Sequence, residues 1–428
     1  MSEKNIESIA LKSGFKQRSS KISPRSFLET VFFNNSSNSP SLTEYSIDME
    51  HYTQSRISKQ AIDKRFNERT KNMLYLILQQ VMSKQVACKH YLFNSKSMFT
   101  DIRIMDSSEF KVSKKVAASF PGYGGNGREA IAQIQFEYQL FDSRITEFTI
   151  GSAIDSDSKA GMKNIDTVPP GSLLLRDLGY FSPKVFNELS RRNLYFISRA
   201  KSQWNFYILK NEKFVRLTTA EIISKLKNQE EKYLDMDVYV GAQELSPVRL
   251  VANLLTPEQE KIRLKNKSLN RKLGSDALES IGLNLFVTNV EHAKCNAEAV
   301  YELYTLRWQV ELIFKTWKSV MQLHKIQAMN AVRLECILLI KLLWVMLNWS
   351  ILNQLKEFTN TDLSFHKLTH TLQSRSQKIT SIIIAHKELL YEWLLELTQV
   401  SLKHHQKEYK KGGNKMNEIL KHAYYNAA

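Results

Sequence analysis

The residues best suited to chemistry lie on one predicted helix face, within the stretch 301–321. The stretch has no Gly or Pro, and its apolar residues recur at helical spacing. At about 100° per residue, one polar face of this helix carries Tyr304, Arg307, Glu311, Lys315 and Lys318. A single carboxylate beside three cations suits a metal-bound phosphodiester, because the acid can hold the metal while the cations hold phosphates. The pattern is also typical of a solvated amphipathic helix with intrahelical ion pairs.

Four of these residues have a spacing that is specific in its own right. Two residues separate Tyr304 from Arg307, three separate Arg307 from Glu311, and six separate Glu311 from Lys318. This spacing resembles the YREK signature of the insertion sequence 4 family of DDE transposases. The resemblance covers roughly residues 41–345 and implies two further catalytic acids upstream of Glu311.

Two upstream acids occupy suitable positions. Asp106 follows the alternating run 102–105, which predicts a short strand that delivers it to a sheet edge. Asp177 follows an apolar run and precedes a helix predicted from Ser182, and open α/β sheets place their sites at such positions. The Asp-Leu-Gly-Tyr-Phe run at 177–181 resembles the second catalytic motif of the family. Four other acids near these two are expected to be solvated, namely Asp101, Glu109, Asp155 and Asp157.

The resemblance implies a metal-dependent reaction on DNA. Two divalent ions about 3.5–4 Å apart can catalyse phosphodiester cleavage, and hard cations of this kind prefer carboxylate oxygens. Asp106, Asp177 and Glu311 are therefore the expected ligands of two Mg²⁺ (or Mn²⁺) ions. Water then hydrolyses the strand at the transposon end. The freed 3′-hydroxyl attacks the complementary strand or the target DNA by the same in-line displacement.

The same resemblance implies DNA contacts around Glu311. Tyr304, Arg307 and Lys318 match positions that contact the transposon end in the family, and Lys315 shares their face. Trp308 matches an aromatic residue beside a flipped base, and stacking is a plausible way to hold an extruded nucleotide. Core packing is an equally good interpretation of Trp308.

A second DNA-binding element is predicted near the N-terminus. Residues 41–50 are predicted as a helix, and Ser58 is a suitable N-cap for a longer basic helix that continues to about residue 82. Helix, turn and basic helix is the helix-turn-helix pattern. The residues expected near the exposed start of the second helix are Lys59, Gln60, Lys64 and Arg65. An ordinary helical bundle with a charged face is the alternative, and residues 1–40 are predicted as a weak helix followed by a linker.

Together these patterns predict an α/β protein with an RNase H-like (DDE transposase) core, interrupted by a β-rich insertion domain. Glu311 follows Asp177 by 134 positions, which is too long for one connection in a compact sheet. The predicted boundaries are 1–95 for an N-terminal helical, helix-turn-helix-like DNA-binding domain, 96–200 and 284–357 for the core, 201–283 for the insertion and 358–428 for a C-terminal helical region.

Composition favours a polyanionic partner. The formal charge is +17 over 428 residues, which suits nucleic acid or an anionic membrane surface. Three widely spaced cysteines and an N-terminus without an apolar segment indicate the cytoplasm, and the apolar run 336–352 is interpreted as a core helix. The expected partners are double-stranded DNA, as terminal inverted repeats and target, and a second copy in a homodimeric DNA complex. A catalytically inactive DNA-binding protein and a general RNase H-fold nuclease are the alternatives.

Overall fold

Ten strands are described in a computed structural model of the chain. The described residues are 1–34, 40–85, 97–123, 129–200, 204–242, 244–268, 281–326, 330–376, 378–379, 382, 387–408 and 416–420. The strands are β1 (Ile102–Val112), β2 (Ala130–Gln139), β3 (Ile145–Ser152), β4 (Leu173–Arg176), β5 (Tyr195–Arg199), β6 (Phe206–Lys210), β7 (Lys213–Leu217), β8 (Leu234–Val240), β9 (Ser246–Leu254) and β10 (Leu283–Thr288).

Helices precede, interrupt and follow these strands. Those before β1 are α1 (Glu3–Lys12), α2 (Pro24–Asn34), α3 (Leu42–Thr53), α4 (Lys59–Asp63) and α5 (Glu68–Ser83). Between β3 and β10 lie α6 (Asp157–Lys163), α7 (Pro183–Arg191), α8 (Thr219–Asn228) and α9 (Pro257–Ser268). After β10 come α10 (Ala297–Thr305), α11 (Trp308–Ser319), α12 (Ala331–Thr359), α13 (Phe365–Ser374), α14 (Leu390–His404) and α15 (Met416–Leu420).

The strands form one mixed sheet in the order β3-β2-β1-β4-β5-β10-β9-β8-β6-β7. β1, β2 and β3 are an antiparallel meander, whereas β4 runs parallel to β1 and β5 parallel to β4. This half of the sheet therefore has three antiparallel strands followed by two parallel ones. The arrangement fits an RNase H-like core.

The segment 201–283, predicted as a β-rich insertion, contributes β6 to β9, and these strands continue the core sheet. β10 explains the continuity, because it pairs antiparallel with β5 on one edge and with β9 on the other. The inserted strands therefore share the hydrogen-bond ladder of the core instead of forming a separate sheet in the described part of the chain.

Strand alternation gives the sheet two apolar faces, since successive side chains point to opposite sides. Ile104 and Leu175 belong to one hydrophobic cluster, which includes residues of α5, α11 and α12. Met105 and Leu174 belong to a second cluster, which includes residues of α7 and α8. The parity of a position in β1 or β4 thus decides which helices its side chain meets.

The longest described helix, α12, packs against the first of these faces. By length and composition alone it could cross a membrane, but 83% of its most apolar window is buried inside the protein. It contributes Trp344 and many aliphatic side chains to the cluster shared with α5 and α11. The run 336–352 is therefore part of a core helix, as the sequence predicts.

Two predicted helices are each broken in the structure. The helix expected from Ser58 to about residue 82 ends at Asp63, and a new one begins at Glu68. The side-chain oxygen of Asn67 accepts the backbone N–H groups of Arg69 and Thr70, which starts the new helix. The stretch 301–321 is divided by a turn at 306–307, between α10 and α11. The prediction of a single helix is wrong in both places.

One more expectation, the end of β1, is wrong, and the prediction of one weak helix within residues 1–40 is incomplete, because the structure has two helices there. β1 does not end at Asp106 but continues to Val112, because β2 pairs with it along its whole length. Residues 24–34 form a regular helix, whose Phe27 is buried against the rings of Phe15 and Phe66. The aromatic contacts supply the stability that the local sequence pattern does not indicate. The expected linker at 35–39 lies outside the described residues.

Candidate active site

The register of β1 against β4 brings two of the predicted acids side by side. The parallel pairing ends with Met105 opposite Arg176, so Asp106 and Asp177 are the next residues on neighbouring strands. Asp177 keeps an extended backbone (φ −71°, ψ 165°). By the alternation of the two strands, both carboxylates lie on the face of Ile104 and Leu175, which is the face that α11 covers.

The third acid, Glu311, comes from the first turn of α11. Arg307, at the break before this helix, connects it to the sheet. Its Nη1 donates to Asp106 Oδ2 at 2.8 Å, and its Nη2 donates to Glu311 Oε1 at 2.7 Å. One guanidinium thus joins carboxylates that are 205 residues apart in the sequence.

The charges of Asp177 and Glu311 affect the ionisation of Asp106. Burial raises the pKa of Asp106 to about 6, and the charges of Asp177 and Glu311 add to this effect. The Ser107 backbone N–H and the Arg307 charge act in the opposite direction. Burial alone would lower the pKa of Arg307, but electrostatic interactions with Tyr304, Asp106 and Asp177 and the hydrogen bond to Glu311 raise it overall. The arginine therefore stays charged.

An open groove of about 780 Å³ is lined by Asp106 and Glu311, whereas Asp177 is not among its lining residues. Its lining combines acids and cations from β1 and α11: Asp106, Ser107, Ser108, Glu109, Glu311, Phe314, Lys315, Lys318 and Ser319. Lys315 and Lys318 are exposed on the helix beside Glu311, as the sequence predicts. The groove therefore combines carboxylates of β1 and α11 with the ammonium groups of Lys315 and Lys318.

Tyr304 and Trp308 differ in their exposure to solvent. Tyr304 is only 5% exposed, and its ring packs edge-on against Phe286 with centroids 5.2 Å apart. Trp308 is 59% exposed, next to Arg307. The expectation that Tyr304 shares an open face with the cations is wrong, because the break at 306–307 ends the helix that would have presented it. Trp308 does not pack in the core.

A buried ionic network, missed by the sequence analysis, lies beneath Asp177 on the opposite side of the sheet. Glu137 accepts from Arg176 Nη2 at 2.8 Å and from Arg103 Nη1 at 3.3 Å, and Arg103 also pairs with Asp101 at 3.1 Å. All four side chains are buried. Asp101 is therefore buried, and the expectation that it is solvated is wrong. Burial raises the pKa of Asp101 to about 6.

Hydrogen bonds also hold the turn that follows Asp177. Tyr180, in this turn, donates its hydroxyl to Gln135, and Gln135 donates to Asp157 at 2.8 Å. Gln133 also donates to Asp157, at 3.1 Å, so this acid, expected to be solvated, is a structural acceptor. A sequence signal for the network was present, since Gln133, Gln135 and Glu137 alternate with apolar residues along β2.

The chemistry of the three carboxylates suits a hard divalent cation, which prefers oxygen ligands. Within the described residues, no three His, Cys, Asp or Glu side chains lie close enough together to hold a metal ion. Arg307 explains this spacing, because its guanidinium lies between Asp106 and Glu311. By its chemistry the donor set fits such an ion, and Arg307 bonds two of the three carboxylates in this structure.

The residues predicted to read DNA near the N-terminus differ in exposure. Lys59, Gln60 and Lys64 are exposed around the short helix α4. Arg65 is half-buried instead, with its guanidinium 5.0 Å from the Phe15 ring centre and 2.7 Å from Ser20 Oγ.

Residues 97–347, more than half of the chain, match the family model described as Transposase DDE domain. The chain belongs to the DDE transposase family. Membership makes it a DNA transposase, and dependence on divalent metal is general in this family.

Curated relatives agree with this assignment. The chain is 34% identical to the transposase for insertion sequence element IS231F of Bacillus thuringiensis subsp. israelensis, over 68% of this chain and 65% of that relative. It is 29% identical to the IS231B transposase of B. thuringiensis subsp. berliner, over 90% and 88% of the two chains. The IS1151 transposase of Clostridium perfringens is 27% identical over 85% and 84%.

Proposed function

We propose that this transposase binds the terminal inverted repeats of its own insertion sequence and moves the element by cut-and-paste strand cleavage and strand transfer. The observation that supports this most directly is the pairing register that puts Asp106 beside Asp177, with Glu311 joined to Asp106 through Arg307. The relatives are named as insertion sequence transposases, which supports the same substrate class.

Asp106, Asp177 and Glu311 would hold two Mg²⁺ (or Mn²⁺) ions. Bound ions would neutralise charge at the phosphorus and promote attack by water and then by the 3′-hydroxyl. The chain itself binds and orients the DNA. Lys315 and Lys318, exposed beside Glu311, would bind the phosphates on either side of the scissile bond.

The residues around Arg307 would position the transposon end. Tyr304 is buried against Phe286 and so fixes the turn that carries Arg307. Trp308, exposed at the start of α11, would stack on an extruded base. Together with Glu311 and Lys318, these residues support membership of the insertion sequence 4 group with its YREK signature.

The setting of the reaction follows from the substrate. We assign the transposase to the cytoplasm, where it would act on chromosomal DNA as a homodimer that holds two element ends, with no membrane partner. Lys59, Gln60, Lys64 and Arg65 remain proposed DNA contacts of the N-terminal region.

Strand cleavage assays test the role of the acids. Asp177→Asn and Glu311→Gln should each lower metal-dependent cleavage of a duplex carrying the element's own inverted repeat by about a thousandfold or more. Glu109→Gln is the matched control, because Glu109 lines the same groove but bonds the Tyr123 hydroxyl, and its activity should stay near wild type. Wild-type cleavage by Glu311→Gln would contradict the assignment.

Sequence specificity separates transposition from general nuclease activity. The same assay with a scrambled duplex of equal length should show little cleavage. Equal cleavage of both duplexes would instead indicate an RNase H-fold nuclease, and DNA binding without any metal-dependent cleavage would indicate an inactive binding protein.

A further inference from the structure

A second groove, of about 710 Å³, lies in the N-terminal region, where the loop 15–23 passes the turn between α4 and α5. Its ionisable lining residues are all cations: Lys16, Arg18, Lys21, Lys64, Arg65 and Arg69. The remaining lining residues are mostly small or polar. We refer to this feature as the basic groove.

The cations of the basic groove are poorly neutralised. Lys16 pairs with Glu7 at 2.5 Å, whereas the other five have no carboxylate partner within the described residues. Arg25, close by in sequence, shows the contrast, since it pairs with both Glu3 and Glu29. A cluster of like charges without counter-charges destabilises the free protein and creates a positive potential that attracts anions.

The cluster is built into the fold. Arg65 stacks on Phe15 and donates to Ser20 Oγ, so α4, α5 and the loop are held together by the groove's own residues. Burial lowers the pKa of Arg65, and the charge of Arg18 lowers it further, which shows that like charges are held close together here. Gly14 turns the chain into the loop with a φ of +75°, beside the aliphatic part of Arg69.

Size and charge indicate the class of ligand. Six cations exceed the charge of any single phosphate group, and a groove that they line suits an anion with regularly repeated charges. An anionic membrane is a poorer fit, because membrane-surface binding also needs exposed apolar side chains, and the apolar lining residues Phe15 and Ile22 are buried. Duplex DNA carries closely spaced phosphates and is what this family acts on.

We propose that the basic groove binds the backbone phosphates of double-stranded DNA, as a sequence-independent contact separate from the carboxylate groove. This inference rests on the proposed function for its choice of DNA. The basic groove differs from the predicted helix-turn-helix surface, because the two have only Lys64 and Arg65 in common. The loop residues Lys16, Arg18 and Lys21 provide half of the contacts.

The test uses the full-length triple variant Arg18→Gln, Lys21→Gln, Lys64→Gln, whose three side chains are exposed and should not disturb folding. The matched control removes the same charge from exposed lysines of β6 and α8: Lys210→Gln, Lys225→Gln, Lys227→Gln. Fluorescence anisotropy without divalent metal then gives DNA affinity over a series of KCl concentrations. The probes are a duplex carrying the element's inverted repeat and a scrambled duplex of equal length.

Each lost phosphate contact should reduce the slope of log affinity against log salt by about 0.9, so the triple variant should lose between two and three units of slope. Both duplexes should lose affinity to a similar degree, roughly tenfold to a hundredfold at low salt. The control variant should lose much less. Thermal unfolding of the triple variant should occur at the wild-type temperature or slightly above it, because the substitutions relieve repulsion between like charges.

Three results would overturn the inference: an unchanged salt slope with the triple variant, an equal loss with the control, or lost binding of the inverted-repeat duplex alone. The last result would indicate base recognition instead of phosphate contact. Cleavage by wild type with Mg²⁺ is measured in parallel. If wild type cleaves but the slope is unchanged, only the basic groove is refuted. If the slope falls but wild type never cleaves, only the proposed function is refuted.

Discussion

Replacing Glu137 by Gln tests whether the buried ionic network holds β4, the strand that ends at Arg176 just before Asp177. Glu137 is the only carboxylate that Arg176 contacts in the described part of the chain, at 2.8 Å. The other partner of Arg176 is the Gly161 carbonyl oxygen, at 2.6 Å. Gln keeps the shape and one acceptor oxygen but removes the negative charge, so a buried guanidinium would lose its counter-charge.

The size of the expected stability loss follows from the carboxylate partners that each arginine keeps. Breaking a buried ion pair by removing one partner costs about 3–5 kcal/mol, because the remaining charge stays buried. Arg103 keeps Asp101 as a second carboxylate, and the new amide can still accept a hydrogen bond. We therefore expect a loss near the lower end, about 3 kcal/mol in the free energy of unfolding.

Guanidinium chloride unfolding, followed by tryptophan fluorescence and circular dichroism, measures this loss as a lower midpoint at constant slope. Glu147→Gln is the matched control. Glu147 is directly opposite Glu137 in β3 and is also buried, but its bond is to the Thr149 hydroxyl, at 2.8 Å, and not to a cation. Its replacement should cost less than about 1 kcal/mol. Equal losses in the two variants, or no loss in Glu137→Gln, would refute the reasoning.

Two further substitutions test other features of the fold. Lys341 is 2% exposed, and burial lowers its pKa to about 8. Between pH 8 and 10.5 the unfolded chain therefore binds more protons than the folded chain, and wild-type stability should rise with pH across this window. Lys341→Met should remove that rise, and its free energy of unfolding at pH 7 should exceed that of wild type by about 3 kcal/mol. Equal stability of the two proteins would contradict the lowered pKa of Lys341. Asn67→Ala should destabilise the protein by about 1 kcal/mol, because α5 loses its N-cap. Asn67→Ser should keep most of this stability, and thermal unfolding of the two variants measures the difference.

Local sequence patterns were sufficient to place the strands that carry the aspartates. The alternation around Asp106 and the apolar run before Asp177 each predicted a strand, and both strands are present. The pattern could not show where the first strand ends, because its length depends on pairing with β2, far away in sequence. Nor could it show that the inserted strands join the core sheet, since that depends on β10 pairing on both edges.

Helix breaks were missed for a related reason. The stretch 301–321 contains neither Gly nor Pro, so no residue type signals the turn at 306–307. The turn is accompanied by long-range contacts: Tyr304 packs on Phe286, and Arg307 reaches Asp106. Tertiary contacts of this kind routinely override local propensity.

The hydrogen bond between Arg307 and Glu311 is local, and the sequence shows it as a spacing of four residues. The hydrogen bond between Arg307 and Asp106, by contrast, spans 201 residues. That second contact gives the arginine a role in the protein before any substrate is bound. Three carboxylates that act on one another would repel, and burial already raises the pKa of Asp106 to about 6. Arg307 offsets this repulsion from a position between two of them. A ligand that enters between Asp106 and Glu311 and displaces the guanidinium must therefore bring at least as much positive charge, which a divalent cation does and a neutral or anionic group does not.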